Sequence, residues 1–176
     1  DTKPAETLLV KNLQKDKSDY YLIPFKKNST GKNKLVSAVI ILDADNGYFK
    51  EASWTKEPEV FPNVDKKTAV SLVRKLIQNE FSKDIKQTRK YSFFKRMLAI
   101  RDTYCAYNKL LNYINGSNAE LIWQKGELSS SPYKPYWKVN ANGYLWYVTQ
   151  NKKVVPVTDT YIIINEIKTN RAYFKR

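Results

Sequence analysis

The chain has 176 residues, 42% of them apolar and 14% aromatic, and its 31 Lys and Arg against 17 Asp and Glu leave a net charge of +14. That length suits one domain or two small ones with a real core, and a field of that sign attracts nucleic acid, anionic lipid or acidic polymer, although a solvated lysine-rich surface is the commoner meaning. With no His and a single Cys, Ser-His and Cys-His nucleophile systems, His-ligated metals and an intramolecular disulfide are all excluded.

In chain order, residues 7–13 (TLLVKNL) and 20–25 (YYLIPF) are short apolar runs separated by charge, a pattern for two strands and a turn. Residues 28–34 (NSTGKNK) form a polar loop around Gly31, and the β-branched run 36–42 (VSAVIIL) predicts a central strand. Asn46-Gly47 then predicts a two-residue type I′ hairpin, because both central residues of that turn need positive φ. Pro58 and Pro62 break the chain before Asp65, which stands as an N-cap. Beyond it Ala69, Leu72, Val73, Leu76 and Ile77 mark a helix whose Lys66, Lys67, Arg74 and Lys75 face solvent.

A second stripe, Phe93, Met97, Ile100, Tyr104, Tyr107, Leu111 and Ile114, predicts a helix of about six turns packed on the protein's own sheet, ended by Gly116. Sheet follows in 119–126 (AELIWQKG) and 133–157, where Asn142-Gly143 joins two aromatic strands. A β-rich run at 161–167 (YIIINEI) precedes a basic tail ending Lys175-Arg176. No run approaches the ~18–20 apolar residues of a membrane span.

Residues 42–49 (LDADNGYF) and 139–146 (VNANGYLW) write nearly the same turn twice, with Pro24-Phe25 and Pro135-Tyr136 ahead of them. The repetition implies two copies of one sheet unit. The expected fold is α+β: two antiparallel sheet units with helices packed on them, divided as 1–82 and 83–176 or merged into one compact domain.

Residues 38–54 (AVIILDADNGYFKEASW), followed by the helix from Asp65, resemble the last hairpin of small PepSY-like domains, and residues 131–150 look like a diverged copy. The second copy departs from the pattern in having Asn140 where the Asp of an Asp-Ala pair would stand. The segment 93–114 has no counterpart in a minimal unit. What the resemblance implies is a secreted or membrane-anchored bacterial module, of a group that includes protease propeptide parts, proposed protease inhibitors and envelope sensors. The opening DTKPAET, without Met or an apolar signal core, fits a processed chain with a removed signal or lipoprotein anchor. Low cysteine usage is compatible with cytoplasm and equally with an extracytoplasmic space.

Catalytic chemistry finds little support. Asp43, Asp45 and Asn46 begin like a calcium loop, but Gly47 is fifth where an EF-hand needs it sixth, and the twelfth residue is Trp54 instead of a bidentate Glu. Glu51, Glu57, Glu59 and Glu127 offer carboxylates, yet nothing in the sequence brings a pair together. Cys105 reads as a buried small hydrophobe. No catalytic residue, metal site or cofactor is expected.

The strands around Asn142-Gly143 carry rings on both faces. Either the second face is covered, or Tyr136, Trp137, Lys138, Tyr144 and Trp146 form a ligand-binding surface beside Lys134, Lys152 and Lys153. The expected function is a non-catalytic extracytoplasmic binding or regulatory module whose partner is a peptide, a protease or a cell-envelope polymer. The alternative is a cationic protein that binds nucleic acid or another anionic polymer, since rings interleaved with lysines also suit single strands.

Overall fold

The computed structural model describes residues 2–27, 35–115 and 117–157. The loop at Gly31, the cap at Gly116, the run 161–167 and the basic tail lie outside the described residues. The chain is α+β. Its strands are β1 (Thr2–Pro4), β2 (Leu8–Asn12), β3 (Tyr20–Lys27), β4 (Leu35–Asp43), β5 (Phe49–Val60), β6 (Asn118–Trp123), β7 (Tyr136–Ala141), β8 (Tyr144–Val148) and β9 (Val154–Pro156). Two helices, α1 (Lys66–Gln87) and α2 (Phe93–Asn115), are separated by one 3₁₀ turn at Thr88–Lys90. Among the described residues the strands form one nine-stranded sheet, hydrogen bonded in the order β5-β4-β3-β2-β6-β7-β8-β9, with β1 pairing with β3 off that path.

One expectation about pairing needs correction. Pairing is not antiparallel throughout: β2 and β6 run parallel, with Lys11 opposite Ile122 and Asn12 opposite Trp123. A parallel pair needs a long crossover, and the chain between these strands contains both helices. The chain divides into two compact units. One gathers Asp1–Lys66, Glu120–Lys138 and Thr149–Lys153; the other gathers Lys67–Ala119, Val139–Val148 and Val154–Arg176.

In the first unit, the apolar run of β4 lies between β3 and β5 as its composition predicts. Pro24, inside β3, cannot donate to a ladder. It falls where the neighbouring edge changes hands, between the segment paired with β1 (Pro4 opposite Phe25) and that paired with β2 (Leu8 opposite Leu22). Its carbonyl accepts there from the Ala5 amide at 2.7 Å. Val10, Tyr20, Leu22, Val36, Ile41, Val64, Ile122, Tyr136 and Trp137 make the buried core.

In the second unit, Ala69, Val73 and Ile77 are the buried face of α1, and Lys67, Arg74 and Lys75 are exposed as their spacing predicts, as is Lys66 at the end of the first unit. Phe81 of α1 stacks on Tyr107 of α2 with centroids 4.1 Å apart, and Tyr113 stacks on Tyr144 of β8 at 6.0 Å. The apolar stripe of α2 is only partly covered. Ile114 is buried and Ile100, Tyr107 and Leu111 are half-buried, whereas Phe93, Met97 and Tyr104 are exposed. Cys105 is likewise exposed, not buried.

The two Asn-Gly sequences make different turns. Asn142 (φ 52°) and Gly143 (φ 87°) are both left-handed and join β7 to β8 through a two-residue loop, as a type I′ turn requires. Between β4 and β5 only Gly47 (φ 73°) is left-handed. That loop is longer because Asp43 organises it: its carboxylate accepts from the amides of Asp45 (2.9 Å) and Asn46 (3.3 Å), and its carbonyl accepts from Gly47 (2.9 Å). The likeness of the two segments is one of sequence and not of turn geometry.

Candidate functional site

The five aromatic-strand residues do not make an exposed platform. Tyr136 and Trp137 are buried in the first unit, with Lys138 half-buried after them. In the second unit Trp146 is fully buried at 0% exposure, and Tyr144 is half-buried, stacked on Trp146 at 6.2 Å. The physical reason is that β7 has both of its faces covered at Tyr136 and Trp137, so these rings supply core area. A ring with no solvent-facing surface cannot stack a ligand.

Another surface, contained wholly in the first unit, combines ring, amide and backbone. β5 ends the strand order, so among the described residues one of its edges has no neighbouring strand. Twelve residues long, it is exposed along most of its length. Pro58 within it is at home on such an edge, and Lys50, Glu51, Lys56 and Glu57 discourage indiscriminate pairing.

Opposite Ser37 the β4–β5 ladder loses register: Ala38 faces Trp54 but Val36 faces Glu59, so residues 55–58 bulge away from β4. Thr55 holds the bulge, its Oγ1 donating to the Glu57 carbonyl at 2.8 Å and accepting from the Glu57 amide at 3.2 Å. Trp54, at the point of divergence, is 78% exposed.

Beneath the opening lies a cleft of about 240 Å³. It is lined by Val36, Ser37, Ala38, Val39 and Val60, by the aromatic residues Trp54, Phe61 and Tyr133, by the hydroxyl residues Ser53, Thr55 and Ser131, by the amide residues Asn63, Gln150 and Asn151, and by Lys134. Among the described residues lining it none is a carboxylate. The volume is below the ~300–1,000 Å³ of drug-sized sites, and suits one or two side chains better than a nucleotide.

At the floor, Asn63 and Gln150 are already paired. Gln150 Oε1 accepts from the Val64 amide (3.1 Å), its Nε2 donates to the Pro135 carbonyl (3.0 Å), and its own carbonyl accepts from Asn63 Nδ2 (2.9 Å). On the wall, burial and then the charge of Glu51, which hydrogen bonds the phenol, push Tyr133 up to about 12. Burial raises Tyr20 still more strongly, with Glu51 adding to it, and its hydroxyl donates to the Pro132 carbonyl at 2.8 Å. Both phenols are therefore neutral hydrogen-bonding groups at neutral pH.

Asp43, the first residue of the abandoned calcium pattern, is committed to the turn. Lys50 Nζ lies 2.7 Å from its Oδ2, Ser18 Oγ donates to the same oxygen at 2.6 Å, and the Asp45 amide donates to Oδ1. Lys50 first, then Ser18 and that amide, hold its carboxyl well below the usual carboxylate range. Among the described residues no group of three or more acidic or thiol side chains is placed to hold a metal ion.

Of the cleft residues, only Lys134 stands out in the sequence, as a neighbour of the aromatic strands. Trp54 and Pro58 were the available signals: an exposed-side Trp and a proline inside a strand both mark an edge. Comparison with family models, with curated proteins and with solved structures finds no match to the chain.

Proposed function

We propose that the protein is a non-catalytic binding module that receives an extended peptide along β5, with one side chain of the peptide entering the cleft beside Trp54. The observation that carries this is the β5 edge, unpaired among the described residues, with an exposed Trp54 beside a cleft lined by amides and hydroxyls. An added strand supplies main-chain hydrogen bonds, and a pocket for alternate side chains supplies choice. Trp54, Phe61 and Tyr133 offer flat apolar contact with polar rims, which suits an aliphatic or aromatic side chain.

The PepSY-like resemblance of residues 38–54 belongs to the same reading. Its hairpin contributes the strand we assign to binding, and a helix follows it. The setting we propose is extracytoplasmic, as that resemblance implies. The net charge of +14 favours a second reading, binding of nucleic acid or another anionic polymer.

Panning a display library of random linear peptides against the full chain tests the first reading. Selected peptides should bind the wild type at least about tenfold more tightly than Trp54→Ala, with little dependence on salt. Failure to select any, together with oligonucleotide affinity that falls steeply with salt, would instead establish the second.

A further inference from the structure

We propose that the first turns of α2 dock the protein on an anionic lipid bilayer. Phe93, Phe94, Met97 and Leu98 are all more than half exposed, Phe94 at 79%, and the first two rings meet edge to face at 5.8 Å. At 3.6 residues per turn these four project within an arc of roughly 140°. Tyr104 falls on the same arc two turns later and is also exposed.

Cations surround this apolar tip: Arg89 and Lys90 in the preceding 3₁₀ turn, Lys95 and Arg96 off the arc, and Arg101 on the arc one turn beyond Met97, against one carboxylate, Asp102, which lies 3.2 Å from Arg101. A bilayer surface offers acyl chains for the rings and phosphates for the cations, and a helix with such a division lies in the interface with its apolar face sunk ~5–10 Å. Other occupants satisfy half of this pattern. A nucleic acid would engage the cations and leave four large apolar side chains in water. A second copy seated on the same tip would set five cations against five like charges.

The test is co-sedimentation of the full chain with vesicles of phosphatidylcholine alone and of phosphatidylcholine mixed with phosphatidylglycerol. The wild type should bind the mixed vesicles at least about tenfold more tightly, and salt should weaken it. Phe94→Ser with Leu98→Ser should lose about tenfold or more with its helical circular dichroism intact. Lys95→Glu with Arg96→Glu, both on exposed positions, should do the same. Trp54→Ala should leave vesicle affinity unchanged, which separates this site from the β5 cleft. Three results would overturn the proposal: equal or absent binding to both vesicles, wild-type affinity in the Phe94→Ser, Leu98→Ser variant, or self-association that this variant abolishes without any lipid affinity.

Discussion

Nε1 of Trp137 donates to the carbonyl oxygen of Val64 at 2.7 Å, while the amide of the same Val64 donates to Gln150 Oε1 at 3.1 Å. Val64 has no exposed surface and lies two residues before α1, so both its peptide groups lie where water cannot serve them. Two side chains far along the chain do so instead, and the same contacts fix the cleft floor at Asn63 and Gln150.

The indole nitrogens allow a paired comparison. Trp146 is more deeply buried than Trp137, yet its Nε1 has no hydrogen-bond partner among the described residues. Trp137→Phe strands the Val64 carbonyl and should cost about 1–3 kcal/mol more than Trp146→Phe, despite the lesser burial of Trp137. Urea unfolding of the two variants measures the difference. Equal costs would mean that the Trp137 bond contributes nothing net.

At the turns, a methyl group added to Gly47 or Gly143 meets nothing within 4 Å, so only the left-handed backbone is penalised. Gly143→Ala and Gly47→Ala should each lower stability by about 1 kcal/mol. Thermal unfolding is the check, and a loss several times larger at either position would point to packing that the geometry does not contain.

Asp43 should shape the acid limb of stability. Its folded pKa is depressed by Lys50, Ser18 and the Asp45 amide, so its contribution is complete above the unfolded carboxylate value of ~3.9 and is lost as pH falls below it. Asp43→Asn should be less stable than wild type at pH 7, and the two should converge in strong acid. Unfolding followed from neutral pH downwards distinguishes this from a pH-independent deficit.

Tyr133 should shape the alkaline limb. A phenol raised to about 12 stabilises the fold fully below the unfolded value of ~10 and ceases to do so as pH rises through 12. Ultraviolet titration should therefore show it ionising late, and Glu51→Gln should bring it down without restoring the ordinary value, because burial is the larger cause. Ionisation with the exposed tyrosines would contradict that environment.

Much of this architecture is legible in local pattern. The β-branched run of β4, the 3–4 spacing of α1 and the Asn142-Gly143 turn each follow from interactions within a few residues. The parallel contact of Lys11 with Ile122 has no local signal, since the partners are more than a hundred residues apart, and the exposed Lys11–Glu120 ion pair beside it, at 2.8 Å, is too weak to direct it. Asn46-Gly47 misleads because Asp43, three residues before Asn46, captures the amides that a two-residue turn would leave alone. The aromatic strands mislead in another way. Alternation tells which rings share a face, but only the neighbours of β7 decide that Tyr136 and Trp137 are both covered. The cleft itself joins residues 36–63 to 131–134 and 150–151, a juxtaposition made by the sheet.

The central claim, a peptide strand added to β5, is tested most directly by amide hydrogen exchange in the full chain with and without a panned peptide. The account predicts slower exchange at alternate amides of β5 around Trp54, with the rest of the sheet unchanged. Exchange along β5 that stays the same at saturating peptide would contradict it.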